Sequence, residues 1–243
     1  MFKQNHLTIM KALIFTAFCF CFVIAEAQDL TSADQVIDKY LEVTKIKANA
    51  VSITDLVMSF TSESTRGVAE TEIKYQFPLK YNMTVFSNGM ELMSNIYDGD
   101  KLARKSNFGG TNQVPKTGNA AKAEAQKSNP FFELDYKNQG FTATMLPKEG
   151  DMYVIEYKDP EGKTWKDYFN SKTGLKDKTW TKVESPRGAF ETTVVYESYK
   201  AFKGSEILFA ATKKQSTQMG EITNELQSIK INKGLKAKDF EIK

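Results

Sequence analysis

The sequence predicts a mainly β protein, with ten or eleven antiparallel strands and one or two helices in a single domain. Between Phe141 and Lys200, five segments rich in β-branched and aromatic residues alternate with short turn sequences that each contain a glycine. Such segments are typical of strands, and glycine supplies the positive φ that tight turns require. This stretch therefore indicates a five-stranded meander, and earlier segments show the same alternation.

The chain opens with a segment typical of an export signal. Lys11 precedes an apolar run that ends at Ala25, and Ala25-Glu26-Ala27 places small residues where a signal peptidase needs them. We expect residues 1–27 to be removed and residues 28–243 to form one mature domain, with Met10 as an alternative start to Met1. The apolar run is shorter than the roughly 20 residues of a membrane span, so no transmembrane segment is expected in the mature chain.

The predicted mature chain contains no cysteine and no histidine, because Cys19, Cys21 and His6 all lie within the segment to be removed. Cysteine nucleophiles, Ser-His-Asp triads and the usual zinc sites therefore lack an essential residue. No metal site and no cofactor is expected. The formal net charge of the whole chain is +3, and acidic and basic residues are interspersed along it. This pattern does not indicate the clustered basic residues that are typical of nucleic-acid-binding surfaces.

The segment after the export signal predicts a helix at residues 33–45. Ser32 and Gln35 form a capping-box pair, and the apolar residues that follow fall on one helical face, which must be covered by a sheet. Besides the meander, strands are expected at 55–63, 69–77, 81–87, 91–97, 101–105, 206–212 and 221–232.

Three local signals position the ends and irregularities of these strands. Pro78 withdraws a backbone donor and should end the second strand, while Asn88-Gly89 is a strong hairpin dipeptide. In the last strand the apolar residues shift from one set of alternate positions to the other. This shift predicts a β-bulge near Gln227.

The stretch from Ser106 to Asn129 is the longest interruption of the strand pattern. Its glycines and proline indicate a loop, and Asn119 is a candidate N-cap for a helix over 120–127. Phe131 and Phe132 follow at once. They either anchor this insertion on the sheet or belong to a movable lid, and the sequence leaves both possibilities open.

Acidic residues form no recognisable enzyme or metal motif. Asp98-Gly99-Asp100 and Asp159-Pro-Glu-Gly162 lack the ligand spacing of a calcium loop, so both are interpreted as turns. Glu156 and Asp167 lie on neighbouring predicted strands, where a glycosidase-like carboxylate pair can be imagined. Nothing distinguishes that pair from the other acidic residues.

The order of these segments resembles the outer-membrane lipoprotein-sorting proteins, which are similar to the periplasmic lipoprotein carriers of Gram-negative bacteria. The segments that carry the resemblance are ADQVIDKYLEVT, YQFPLKYN, IYDGDKL, SNPFFELDYKNQGF and KDFEIK. It implies a strongly curved half-barrel sheet whose apolar concave face is capped by the N-terminal helix and the helical insertion. It further implies a periplasmic, non-enzymatic carrier that binds the acyl chains of lipoproteins, served by an inner-membrane releasing complex and an outer-membrane acceptor.

In those carriers an arginine stands before the proline of the YQFP-like segment and helps to hold the lid closed, whereas this chain has Phe77. The gating device of the carriers is therefore not carried over. For the concave wall we nominate one alternate set from the early strands together with two residues after the insertion: Leu56, Met58, Phe60, Tyr75, Phe77, Met83, Val85, Phe131 and Phe132.

Two other functions remain open beside the carrier. An envelope protein could keep this fold and bind a protein partner through an exposed apolar patch. A carboxylate-dependent enzyme acting on envelope glycans would instead need acidic side chains that converge in a cleft.

Overall fold

Thirteen strands form a single antiparallel sheet in the computed structural model, which describes residues 29–107, 114–184, 188–218 and 220–242. The export-signal prediction for residues 1–27 lies outside the described residues. The strands are β1 Asp55–Ser64, β2 Gly67–Gln76, β3 Lys80–Ser87, β4 Met90–Tyr97, β5 Lys101–Ser106, β6 Lys116–Thr117, β7 Thr142–Glu149, β8 Met152–Lys158, β9 Thr164–Asn170, β10 Lys176–Val183, β11 Phe190–Ala201, β12 Leu208–Thr217 and β13 Gly220–Ile231. The helices are α1 Ala33–Val43, α2 Ile46–Asn49, α3 Gly118–Lys127 and α4 Phe132–Asp135, with 3-10 turns at Ala50–Ser52 and Ala237–Phe240.

The mainly β prediction is confirmed, although the sheet has thirteen strands instead of ten or eleven; the twelve segments named from the sequence account for all but one of them. Every segment named from the sequence forms a strand, including the five-stranded meander that begins after Phe141. The two-residue β6 had no sequence signal, because it is too short to show alternation. The predicted strand over 206–212 in fact extends to Thr217, since its polar second half pairs with β11 and β13.

The sheet consists of two meanders that meet at the first and last strands. Its order is β6-β5-β4-β3-β2-β1-β13-β12-β11-β10-β9-β8-β7. The consecutive strands β6 and β7 therefore lie at opposite edges, and the chain between them has to cross a face of the sheet. This crossing contains α3 and α4, so the sheet topology itself places both helices over one face.

One extra residue in β13 keeps the apolar side chains on the covered face at the seam, which is the pairing of β1 with β13. Met58 pairs with Ile229 and Phe60 pairs with Leu226, so Gln227 is an extra residue that has no partner in β1. The predicted bulge is thus confirmed. Without it, Leu226 and Ile229 would point to opposite faces, because side chains alternate along a strand.

Helix α1 begins as the sequence indicates. The Ser32 hydroxyl accepts a hydrogen bond from the Gln35 backbone N–H at 3.3 Å, whereas the Gln35 side chain accepts from the Thr31 N–H at 2.8 Å instead of from Ser32. The helix ends at Val43, two residues earlier than predicted. Its buried face consists of Ala33, Val36, Ile37, Tyr40 and Leu41.

Two further turn predictions hold. The backbone of Asn88 and Gly89 has φ angles of 51° and 74°, as the hairpin dipeptide requires. Strand β2 ends at Gln76, ahead of the cis peptide bond between Phe77 and Pro78. Across the described ranges, no helix is both long and apolar enough to cross a membrane.

Candidate functional site

A cavity of about 1100 Å³ lies between the sheet and the helices that cover it. Ligand pockets commonly measure about 300–1,000 Å³, so this cavity is slightly larger than that range. Residues of β1, β2 and β9 to β12 line one side, and residues of all four helices line the other. The cavity therefore belongs to both meanders and to the crossing between them.

The apolar part of the lining comes from strands on both sides of the seam and from the helices. It consists of Met58, Phe60, Ile73, Tyr75, Trp165, Val183, Tyr196, Tyr199, Leu208, Phe209, Ala210, Tyr40, Ile46, Ala120, Ala123, Pro130 and Phe132. Aromatic side chains dominate this wall, and Met58 is the one methionine among the described lining residues. Methionine is flexible and polarisable, so Met58 can adapt to apolar groups of varied shape.

The six strand residues nominated from the sequence share one face, as their pairing shows. Leu56 pairs with Tyr75, and Ile73 pairs with both Met58 and Met83. Of the nine nominated residues, four line the cavity: Met58, Phe60, Tyr75 and Phe132. Leu56 and Phe131 are buried in the packing around it, and Phe77, Met83 and Val85 are half-buried and outside its lining.

Met83 and Val85 lie outside the lining because they sit on β3, one strand farther from the seam than Ile73. Alternation along a strand indicates which face a residue occupies, but it does not indicate how far the cavity extends across the sheet. Ile73 lines the cavity and was not nominated, although it belongs to the same alternate set as Tyr75.

The two phenylalanines after the insertion both pack against the sheet or residues next to it. The Phe132 ring lies 5.2 Å from Tyr157, 5.1 Å from Phe141 and 5.5 Å from Trp165, between ring centroids. Phe131 stacks on Phe77 at 5.4 Å. In this structure both residues hold the crossing against the sheet.

A buried ion cluster joins α4 to the floor of the cavity. The Lys176 ammonium binds the carboxylate of Glu133 and lies 3.1 Å from the Asp167 carboxylate, which also accepts a hydrogen bond of 2.6 Å from the Thr179 hydroxyl. Burial opposes the charge on Lys176, but Asp167 and Glu133 outweigh it and hold the pKa of Lys176 well above its usual range. Burial likewise raises the pKa of the Asp167 carboxyl, against the effect of Lys176.

Lys213 brings a second ammonium group into the cavity from β12. Its nitrogen lies 5.5 Å from the centroid of the Phe60 ring and 5.8 Å from that of Tyr196. In the described part of the chain it has no ion pair. Burial, together with repulsion from Lys176, lowers the pKa of Lys213 to about 8, although Glu133 acts in the opposite direction.

The remaining lysines that line the cavity all form ion pairs, mostly towards the loop between β8 and β9 and the end of β10. The pairs are Lys116–Glu124 at 2.7 Å, Lys127–Asp159 at 2.6 Å, Lys163–Glu161 at 3.5 Å and Lys182–Glu184 at 3.6 Å. The Lys127–Asp159 pair ties the end of α3 to the turn after β8. Burial alone would raise the pKa of Asp159, but hydrogen bonds from Lys127 and from the Lys163 backbone lower it overall.

The carboxylate pair imagined for a glycosidase is wrong. Asp167 pairs with Ile155, whereas Glu156 pairs with Lys166, so Glu156 and Asp167 point to opposite faces of the sheet. The carboxylates that do converge with one another are Glu133 and Asp167, and both bind Lys176.

The acidic turns are also as expected from the sequence. One Asp98 carboxylate oxygen accepts hydrogen bonds from the backbone of Asp100 and Lys101, and an Asp159 oxygen accepts from the backbone of Glu161 and Lys163. Within the described ranges, no group of three or more acidic, histidine or cysteine side chains is arranged to hold a metal ion.

The lysines of the cavity and Glu133 escaped the sequence analysis. Lysines and acidic residues are frequent in the polar segments that contain Glu133, Lys176 and Lys213. The residue types of these three therefore do not distinguish them from ordinary surface residues. Lys213 in addition falls just beyond the predicted end of its strand. Extending that strand by alternation from Phe209 would place Lys213 on the same face, and this was the one signal that could have identified it.

The fold is similar to solved structures of low sequence identity. A LolA superfamily protein from Nitrosomonas europaea is 12% identical, with a TM-score of 0.56 over 88% of this chain and 99% of its own. A DUF1329 family protein from Desulfovibrio piger is 10% identical, with a TM-score of 0.54 over 86% of this chain and 96% of its own. Neither a protein-family model nor a curated protein matches the sequence. The likeness confirms, at the level of the fold, the resemblance noted in the sequence.

Proposed function

We propose that this chain, built on a LolA-like fold, is a non-enzymatic periplasmic carrier that holds the acyl chains of lipoproteins or similar lipidated molecules in its cavity. The observation that carries the proposal is the cavity of about 1100 Å³ with an apolar wall rich in aromatic side chains. Residues 1–27 would direct export, and an inner-membrane releasing complex and an outer-membrane acceptor are the partners that the resemblance implies.

The apolar wall supplies the affinity that such a carrier needs. Each methylene buried against it contributes about 0.8 kcal/mol, so a chain of about a dozen carbons binds usefully even when it is partly enclosed. Met58 and Phe60 on β1 and Ile73 on β2 lie on one face next to the seam, where such a chain could lie along them.

The carrier would close differently from those that have an arginine before the proline. Phe77 occupies that position here and stacks on Phe131, so the contact between the end of β2 and the crossing is apolar. Charged contacts of the crossing are made instead by Glu133 with Lys176 and by Lys127 with Asp159. Release of cargo would have to separate one or both of these contacts.

The test is lipid retention and acyl-peptide binding by the purified protein. Wild-type protein should release lipid on solvent extraction, as identified by mass spectrometry, and should bind an acylated peptide more tightly than the same peptide without the acyl chain. Met58→Glu should abolish both, because an unpaired charge in the apolar wall costs several kcal/mol. Met83→Glu is the matched control, since Met83 lies on the same face outside the cavity.

Glu156→Gln is a second control, because Glu156 lies on the other face of the sheet. Absence of both retained lipid and acyl-dependent binding in the wild type would overturn the carrier proposal and favour the protein-partner alternative. Equal loss in Met58→Glu and Met83→Glu would show that the binding site is not this cavity.

A further inference from the structure

The lysines that line the cavity differ in one respect, which is whether a carboxylate neutralises them. Lys116, Lys127, Lys163 and Lys182 each have an acidic partner, and Lys176 has two. Within the described residues, Lys213 is the lining lysine without one.

The groups around the Lys213 ammonium do not supply an anionic partner for it. Its ammonium lies over the rings of Phe60 and Tyr196. The Tyr196 hydroxyl is already hydrogen-bonded to Thr179, at 3.1 Å, and both carboxylates of the ion cluster are held by Lys176. A half-buried ammonium with free donors is unfavourable, and such groups concentrate at functional sites.

The Lys213 ammonium also lies directly beside the apolar wall of the cavity. Its ammonium lies against Phe60, and Phe60 is continuous with Met58 on the same face of β1. A ligand that places an anion on Lys213 would therefore have its apolar part directly on the methionine and aromatic wall. A cation beside a continuous apolar surface can bind both the anionic head and the apolar chain of an amphiphile. A fully apolar molecule would leave the cation without a partner.

We propose that the cavity takes an acyl chain that ends in an anionic head, carboxylate or phosphate, and that Lys213 binds this head while the chain lies along Met58, Phe60 and Ile73. The inference rests on the proposed carrier function and narrows its ligand class. The anion would satisfy the ammonium donors that the protein leaves free, through charge-assisted hydrogen bonds.

The experiment compares amphiphiles that share one chain and differ in the head. Affinities of dodecanol, dodecanoate and dodecyl phosphate are measured at pH 7 by displacement of a fluorescent fatty acid, for the wild type, Lys213→Met and Lys214→Met. Lys214 is the matched control because it has the same charge, lies next in sequence, and pairs with Glu197 on the opposite face.

The wild type and Lys214→Met should bind at least one anionic ligand about tenfold more tightly than dodecanol, the size expected of one charge-assisted contact. Lys213→Met should reduce that ratio to about one and leave dodecanol binding within about twofold. The tighter of the two anions identifies the head as carboxylate or phosphate.

A wild type that binds dodecanol and the anions equally would overturn this inference and leave the carrier function standing. A wild type that binds none of the three would overturn the carrier function itself. Loss of the anion preference in Lys214→Met as well would assign the effect to net charge and not to Lys213.

Discussion

At the residue scale, Lys213 has a measurable effect on the stability of the protein without ligand. Its pKa falls from 10.5 to about 8, so between those values the unfolded chain binds more protons than the folded one. The free energy of unfolding therefore rises with pH across that window. The destabilisation caused by the charged Lys213 is greatest below about pH 8. Lys176 and Glu133 are the charged groups that act on it across the cavity.

We expect Lys213→Met to be more stable than the wild type at pH 7, by about 1–2 kcal/mol, because it removes a half-buried unpaired ammonium and keeps an apolar stem of similar length. The gain should shrink as the pH rises from 8 towards 10.5, where the wild-type lysine is neutral. Urea unfolding at a series of pH values measures both effects.

Lys214→Met serves as the control in the same series. Lys214 has a pKa raised by its hydrogen bond and ion pair with Glu197, so its removal should give no gain at pH 7. A pH-independent difference between Lys213→Met and the wild type would contradict the assigned titration.

Sequence patterns predicted some of these residues and missed others for a physical reason. Met58, Phe60 and Tyr75 were found because a strand alternates and their apolar type indicates the covered face. Lys213 and Lys176 lie on the same sheet but are lysines, whose usual place is the solvated surface. A polar residue inside a cavity breaks the pattern on which the prediction depends.

At the element scale, α3 is held at its C-terminal end by one buried contact. Lys127 donates to the Asp159 carboxylate at 2.6 Å and lies 5.0 Å from the centroid of the Trp165 ring. The facing side of the helix is made of alanines, Ala121, Ala123 and Ala125, which bury little area each. The Lys127–Asp159 pair therefore holds the C-terminal end of this helix, while Glu124 pairs with Arg104 and Lys116 nearer its middle.

Lys127→Met should increase hydrogen exchange of the α3 amides about tenfold and leave the β8 and β9 amides nearly unchanged. Loss of a charge-assisted hydrogen bond to a buried acceptor lowers the local opening free energy by about 1–2 kcal/mol. Mass-spectrometric exchange on peptides covering 118–127 and 152–170 makes this comparison.

Lys122→Met provides the control on the same helix, because the Lys122 side chain is exposed. Faster exchange in that variant, or an equal increase throughout the sheet in Lys127→Met, would show that the pair with Asp159 does not hold α3 locally.

The existence of α3 was predictable, but its place was not. An alanine-rich run after Asn119 indicated a helix over 120–127, and the structure begins it at Gly118 with Thr117 as the N-cap. Its position over the sheet depends on β6 and β7 lying at opposite edges. No pattern within the insertion contains that information, because strand order arises from pairing between distant segments.

At the scale of the whole molecule, the sheet depends on a seam between the first and last strands. β1 pairs with β13 from Leu56–Ile231 to Ser64–Ile222. Beyond one end of the seam, the Asn232 side chain accepts a hydrogen bond of 2.8 Å from the backbone N–H of Thr54, which is 178 residues away along the chain. The Asp55 carboxylate in turn accepts from the backbone of Lys233 and Gly234.

That seam sets an order of events during folding. Each meander is assembled from neighbouring hairpins and can form early, whereas closing a loop of this length delays the β1–β13 pairing. Until then β1 and β13 are open edges, the kind of surface on which chains aggregate. In pulsed hydrogen exchange during refolding, amides of β1 that bond to β13 should gain protection after those of the β3–β4 hairpin; simultaneous protection would mean that the two halves never exist apart.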